Sequence, residues 1–157
     1  MTSGTFSEEF TSPITVARLW KATVVDSHIL IPKIAPQFVE SINLEGDGGA
    51  GTIKTFKFTE AVKEVSIVKN RVDELDQENF SYKYTVIEGN DKYESSAFQI
   101  KLEASPEGGS ICKISGEYKT VDGHVPTEEE SKTLKEGTLK MFKGIETYLI
   151  ASPDAYA

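Results

Sequence analysis

The stretch that most constrains the fold is residues 126–149, the longest run of the chain with helical periodicity. Thr127 and Glu130 form a T-x-x-E capping box at its start, and Ser152-Pro153 ends it. An amphipathic helix of this length needs an apolar surface to pack on, and the residues upstream read as that surface. Its predicted apolar stripe consists of Leu134, Thr138, Met141, Ile145 and Tyr148, widened by Phe142 and Leu149.

Two residues interrupt this stripe. Gly137 lies on it without a side chain, and the carboxylate of Glu130 falls near its edge. Glycine in a helix interior costs about 1 kcal/mol relative to alanine, so an inward glycine needs a reason. Gly137 either permits a close backbone contact or keeps space open beside the helix, and the pattern leaves both interpretations open.

Upstream of the helix, alternating polar and apolar residues predict strands over residues 5–10, 52–58, 65–75, 80–88, 93–104 and 110–120. One apolar face and one polar face indicate an antiparallel meander that is covered on a single side. Ser12-Pro13 predicts the start of a short helix through about Val25, and residues 34–39 predict a second. The chain is therefore expected to be an α+β protein, a curved sheet around the last helix.

Residues 45–54 contain four glycines, Gly46, Gly48, Gly49 and Gly51. Consecutive N–H groups in such a loop can form an anion-binding nest. The phosphate-loop signature requires lysine and then serine or threonine after the last glycine, whereas this chain has Thr52-Ile53. A strand rather than a helix follows, so the pattern favours a tight turn between two strands.

The predicted inner face of the sheet mixes aromatic rings with polar groups. Buried hydroxyls need hydrogen-bond partners, and an unpaired one costs about 1–3 kcal/mol. This composition favours a partly hydrated cavity for an amphipathic, aromatic small molecule over a dry core. In the alternative, Tyr82 and Tyr84 span the sheet with their hydroxyls at its rim. The residues on this face are Lys54, Phe56, Phe58, Tyr82, Tyr84, Ser96, Phe98, Gly116 and Tyr118.

The net charge limits the classes of binding partner, and the cysteine content indicates the cellular compartment. A net charge of −8 argues against a general binder of nucleic acid or anionic membranes, which would need clustered lysine and arginine. The lone Cys112 allows no internal disulfide, so a reducing cytoplasm is expected. The first ten residues lack the apolar core of a signal peptide, and no stretch has membrane-spanning length. No cluster has metal-ligand spacing, no cofactor is expected, and we expect a monomer.

Five segments in order closely resemble plant pathogenesis-related class-ten proteins, relatives of the birch-pollen major allergen. This resemblance implies one domain over residues 1–157 with the helix-grip fold, seven strands, two short helices and a large cavity. It also implies a cytosolic plant protein of defence or stress that binds flavonoids, cytokinins, brassinosteroids or fatty acids. The segments are EGDGGAGTIK (45–54), KNRVDELD (69–76), NFSYKYTVIEG (79–89), SPEGGSICKIS (105–115) and ETYLIASPDAY (146–156).

The resemblance also implies a set of cavity-lining positions. Lys54 lies near the glycine-rich loop and belongs with them. Two residues depart from the family pattern, because Ile29 stands at an entrance position that is often polar and Phe98 enlarges an inward position. The implied lining is Val24, Ile31, Val39, Phe56, Phe58, Val65, Ile67, Tyr82, Tyr84, Phe98, Ile100, Ile114, Gly137 and Met141.

Three other activities occur among proteins of this resemblance. Ribonuclease activity is credited to some, and the residues proposed for it match Lys54, Glu94, Glu146 and Tyr148. The acidic chain and its two distant histidines argue against it. Abscisic-acid receptors of the same fold inhibit phosphatases through Ser-Gly-Leu-Pro-Ala and His-Arg-Leu loops, and neither motif occurs here. Some relatives condense alkaloid precursors with a pocket lysine and an acid, for which only Lys54 stands out.

Overall fold

A computed structural model describes residues 3–62, 66–89, 93–121 and 127–156, without the side chains of residues 130, 131 and 133–138. The capping box at Glu130, the surroundings of Gly137 and the stripe residues Leu134 and Thr138 therefore lie outside the described side chains. Val65 lies outside the described residues altogether.

The described chain forms a seven-stranded antiparallel sheet, as the fold prediction requires. The spatial order is β1-β7-β6-β5-β4-β3-β2, so consecutive strands are neighbours except β1 and β2, which form the two edges. The family resemblance predicts seven strands, whereas the alternation of polar and apolar residues predicts six. The strand that alternation does not predict is β2. The bounds are β1 Ser3–Ser12, β2 Val39–Glu45, β3 Ile53–Phe58, β4 Ile67–Asp76, β5 Ser81–Glu88, β6 Tyr93–Ala104 and β7 Ser110–Thr120.

The two short helices exist but begin elsewhere than predicted. Helix α1 is Val16–Trp20 and continues as a π-helical segment, Lys21–Val25, while α2 is Ser27–Ile34. The first helix starts late because Ser12 ends β1 and its hydroxyl accepts a bond from the Ile14 N–H at 3.2 Å. The second does not occupy residues 34–39, because the residue before Pro36 is kept out of the helical region.

The last helix, α3, is Glu128–Ala151 and ends as predicted. Its described inner side centres on Phe142, Ile145 and Leu149, all 0% exposed, whereas Met141 and Tyr148 are half-buried. The stripe is therefore rotated by about one residue from the predicted one. The Phe142 ring meets Phe10 of β1 edge-on, with 5.9 Å between ring centroids.

Aromatic rings form a row across the inner face. Tyr84 stacks on Phe98 with 5.2 Å between centroids, and Phe98 meets Phe6 at 6.0 Å. The cross-strand position between Phe98 and Phe6 is Gly116. A Cβ there would lie 2.6 Å from a ring carbon of Phe6, so the glycine is what allows the two rings to meet.

Arg18 of α1 holds the end of α3. Its Nε donates to the carbonyl of Ala155 at 2.6 Å, and one terminal nitrogen donates to Leu149 and Ser152 at 2.8 and 2.6 Å. The last carbonyls of a helix have no partner within it and carry partial negative charge, so a guanidinium satisfies both needs. Tyr156 adds a hydrogen bond to Asp26, which fastens the chain end to the start of α2.

We therefore expect Arg18→Ala to lower the free energy of unfolding by about 2–3 kcal/mol, because hydrogen bonds to charged groups contribute more than neutral ones. Denaturant titration measures this loss. The control is Arg71→Ala, whose guanidinium pairs with Asp73 on the surface and is 49% exposed. That change should cost less than about 1 kcal/mol, and equal losses in both variants would contradict the role given to Arg18.

Candidate functional site

The inner face of the sheet is solidly packed beneath the end of α3 and looser elsewhere. In the packed part, Leu102, Cys112 and Ile114 are at most 1% exposed. In the looser part the apolar side chains keep accessible surface, although all of them project from the covered side. These half-buried residues are Leu44, Phe56, Phe58, Val68, Tyr84 and Val86, and Met141 of α3 is half-buried as well.

Tyr84 is the most informative of them. It lies in β5, the central strand of seven, and its cross-strand neighbours Val72 and Phe98 are 1% and 8% exposed. Tyr84 therefore keeps accessible surface although its strand lies at no edge of the sheet and its two cross-strand neighbours are buried.

Lys54 projects from β3 onto the same face and is 4% exposed. Its ammonium lies 4.8 Å from the centroid of the Tyr82 ring, a cation–π contact. Among the described residues, no carboxylate or hydrogen-bond acceptor pairs with it. Burial disfavours the charged form and lowers the pKa of Lys54 to about 8.

Asn70 is the cross-strand neighbour of Lys54, on β4. It is 8% exposed, and its Oδ1 is buried without a hydrogen-bond partner. Directly opposed side chains of this kind lie about 5 Å apart at Cβ. Lys54, which has no hydrogen-bond acceptor among the described residues, thus lies beside an unpaired acceptor. A buried polar atom without a partner is costly, so both atoms suit a polar group supplied by a ligand.

The other predicted lining residues lie partly on the sheet and partly on the helices, and they divide into half-buried and buried positions. Phe56, Phe58, Tyr84 and Met141 are half-buried. Burial raises the pKa of the Tyr82 phenol, which lies under Lys54 and stays protonated at neutral pH. The predicted residues within the packed core are Val24, Ile31, Val39, Phe98, Ile100 and Ile114.

Ile67 was wrongly placed on the inner face. It is 42% exposed and pairs with Lys57 on the outer face, whereas Val68 pairs with Phe56 on the inner one. The resemblance implied a lining position for Ile67, but the register of β4 shifts between Val72 and Glu74, and such an irregularity exchanges the two faces of a strand. Val68 and Asn70 are therefore the residues that sequence reasoning missed, and only the pairing with β3 identifies them.

The glycine-rich loop between β2 and β3 is a turn, and its N–H groups are largely satisfied within the protein. Gly48 donates to the Thr52 hydroxyl at 2.9 Å, Gly49 to Asp47 at 2.9 Å and Gly51 to the Val72 carbonyl at 2.8 Å. An anion would have to compete with these acceptors. The three bonds favour the turn interpretation over the anion-binding nest.

The four residues that match the ribonuclease proposal are not assembled. Glu94 is exposed, and Lys54 is buried on the inner face. Tyr148 accepts a hydrogen bond from Lys33 at 3.2 Å, and Glu146 Oε2 is buried without a partner. No hydrogen bond or ion pair between described residues joins any two of the four.

Within the described part of the chain, no group of three or more histidine, cysteine, aspartate or glutamate residues is placed to hold a metal ion. None of the helices in this described part is long and apolar enough to cross a membrane.

A seven-stranded antiparallel sheet with a long C-terminal helix on one face and two short helices at its end defines the helix-grip proteins. Residues 1–152 match the model of the pathogenesis-related protein Bet v 1 family, and the chain belongs to this family.

Its relatives include proteins named as major allergens of plants. It is 47% identical to major allergen Pru ar 1 of Prunus armeniaca and 49% identical to major strawberry allergen Fra a 1.07 of Fragaria ananassa, with 97% of each chain covered in both cases. Among solved structures, the crystal structure of Ara h 8.0201 superposes with a TM-score of 0.86 at 37% identity, covering 96% of this chain and 100% of that one.

A likeness of fold alone links it to norcoclaurine synthase from Thalictrum flavum, in complex with dopamine and hydroxybenzaldehyde. The TM-score is 0.74 at 19% identity, with 96% of this chain and 88% of that one covered.

The lowered pKa of the buried Lys54 predicts how the free energy of unfolding depends on pH. Its pKa is about 8 in the folded state and its ordinary value is 10.5, so between these values the unfolded chain holds the proton and the folded one does not. The wild type therefore gains stability as pH rises through this range. We expect Lys54→Met to be the more stable protein at pH 7 and to lose up to about 3 kcal/mol of that advantage by pH 10.5.

Denaturant titrations of both proteins across this pH range measure the change. Lys57→Met is the matched control, because Lys57 lies on the outer face of the same strand and is 57% exposed in its pair with Glu40. Its curve should run parallel to that of the wild type. A parallel curve for Lys54→Met would contradict the burial of an unpaired ammonium.

Proposed function

We propose that this protein binds an apolar, ring-containing small molecule between its sheet and α3, and carries or stores it in the defence or stress response of a plant. The observation that carries the proposal is the half-buried Tyr84 on the central strand of the inner face, because accessible surface at that position favours a space between sheet and helix. Family membership supports the general class. The ligands that we favour are flavonoids, cytokinins, brassinosteroids or fatty acids, as the family resemblance implies.

The looser part of the inner face suits such a ligand on chemical grounds. Phe56 and Phe58 present stacked rings with 6.2 Å between centroids, against which a flat apolar molecule can pack. The Lys54 ammonium and Asn70 Oδ1 then supply one donor and one acceptor to orient it. A ligand hydroxyl could accept from Lys54 and donate to Asn70 at once. An aromatic ligand that carries a hydroxyl or carbonyl group therefore fits better than a plain hydrocarbon.

The expected affinity is moderate. A three-ring ligand that buries roughly 300–400 Å² of apolar surface gains about 8–10 kcal/mol at 25 cal/mol per Å². Immobilising the ligand and ordering side chains takes several kcal/mol of this gain. A dissociation constant in the micromolar range corresponds to about 8 kcal/mol, and that is the range we expect.

The alternatives draw less support. The four residues of the ribonuclease hypothesis share no contact among the described side chains, and Tyr148 is already bound by Lys33. The receptor hypothesis needs gate and latch motifs that the sequence lacks. A role as a binder requires only the space and the polar pair. We place this role in the cytoplasm, because a single cysteine, Cys112, allows no internal disulfide and suits a reducing compartment.

Isothermal titration with a panel of the four ligand classes tests the proposal. At least one class should bind with a saturable one- or two-site isotherm. We expect Val68→Trp to weaken this binding at least tenfold, because the indole would fill the space beside Phe56.

The matched control is Ile67→Trp, one residue along the same strand but on the outer face and 42% exposed. This variant should bind like the wild type, and the circular dichroism of both variants should confirm the fold. The proposal fails if the wild type gives a flat response to the whole panel, or if both tryptophan variants bind equally well.

A further inference from the structure

We propose that Lys54 is a covalent capture site, which forms a reversible imine with aromatic aldehydes that enter the space over the sheet. The inference rests on the proposed function for access to Lys54, but it adds a chemical step that a simple carrier does not perform. Of the lysines whose side chains the structure describes, Lys54 alone is buried, with 4% of its surface exposed.

The surroundings of Lys54 keep its nitrogen available as a nucleophile. A lysine in an ion pair is held in the charged form, which has no lone pair to donate. Among the described residues, no carboxylate pairs with Lys54, and its near neighbour is the face of the Tyr82 ring at 4.8 Å. Desolvated lysines in apolar pockets are the ones that form Schiff bases with carbonyl compounds.

Burial sets how much of the lysine is reactive. With the pKa of Lys54 at about 8, about one molecule in ten carries the neutral amine at pH 7. An exposed lysine at its ordinary value has about one in three thousand. Lower basicity reduces intrinsic nucleophilicity, but the difference in neutral fraction is about 300-fold and leaves Lys54 strongly favoured.

The step is balanced without any further reactant. The neutral amine attacks the carbonyl carbon, its N–H proton is lost, and the carbonyl oxygen gains a proton to give a carbinolamine. The remaining N–H proton is then transferred to that hydroxyl through solvent, and water leaves as the C=N bond forms. Burial raises the pKa of Tyr82, so its phenol stays protonated and acts as a hydrogen-bond donor rather than as an acid. The unpaired Oδ1 of Asn70 is positioned to accept the hydrogen bond of the carbinolamine hydroxyl.

The substrate class follows from the lining. Phe56 and the Tyr82 ring offer flat apolar surface beside the amine, so an aldehyde on a one- or two-ring aromatic fits the site. A carboxylic acid or an alcohol of the same shape can bind there but forms no imine. The site therefore distinguishes carbonyl compounds from their oxidised and reduced forms by a reversible bond.

Reductive trapping tests the inference on the full chain. The protein is incubated at pH 7 with naphthalene-2-carbaldehyde and cyanoborohydride, and intact mass and peptide mapping locate the adduct. We expect a single adduct on Lys54, at least tenfold faster than on any exposed lysine. Its rate should level off above about pH 8, where the amine of Lys54 is neutral, while that of exposed lysines keeps rising.

Two variants and one analogue complete the design. Lys54→Met should lose the fast adduct, and Lys57→Met, altered on the outer face of the same strand, should retain it. Naphthalene-2-methanol has the same rings but forms no imine, so calorimetry with it reports non-covalent entry alone.

The outcomes separate the two proposals. If the alcohol or a member of the ligand panel binds but labelling spreads evenly over surface lysines, or persists in Lys54→Met, covalent capture is overturned and the carrier function stands. If nothing binds and Lys54 is still labelled fast and alone, the lysine is reactive and the carrier function fails. Absence of both binding and selective labelling overturns both.

Discussion

The structure depends on how its last helix is anchored. Phe142, Ile145 and Leu149 are completely buried at the C-terminal end of α3, and Arg18 holds the carbonyls that follow them. Burial and charge-assisted hydrogen bonds thus act on the same few turns. Because a helix is stiff over this length, fixing one end sets how the remainder lies over the sheet. The looser part of the inner face lies away from this anchor, where the strands carry rings and polar groups.

The division of the inner face has an energetic meaning. A protein selected for stability alone would place an apolar residue where Lys54 lies, because an unpaired buried ammonium is unfavourable and shifts its pKa. Asn70 repeats the pattern with an unpaired carbonyl oxygen next to it. Two such departures side by side are more informative than either alone, since proteins break the rules of core packing mainly at functional sites. In the function that we propose, these two atoms orient the ligand.

Periodicity predicted secondary structure correctly where one face of a strand or helix is exposed to solvent and the other is buried. Strands β6 and β7 and the end of α3 were predicted at or near their bounds because their polar and apolar residues separate cleanly. It failed where the period is interrupted. A one-residue rotation moved the centre of the α3 stripe, and a register shift in β4 put Ile67, which the resemblance implied for the lining, on the outer face. Periodicity did not predict helix α2, because Pro32 lies inside it and the exposed Ile29 interrupts its separation into a polar and an apolar face.

By itself, the sequence determined the class of fold, the antiparallel character of the sheet and the presence of a helix to cover it. These follow from periodicity, which is a property of neighbours along the chain. Only the tertiary structure decided that no described acid pairs with Lys54, that Asn70 is its neighbour and that Tyr84 stays half-buried on the central strand. The reason is physical: burial and pairing are relations between residues on different strands, and a shift of one residue in register exchanges every contact.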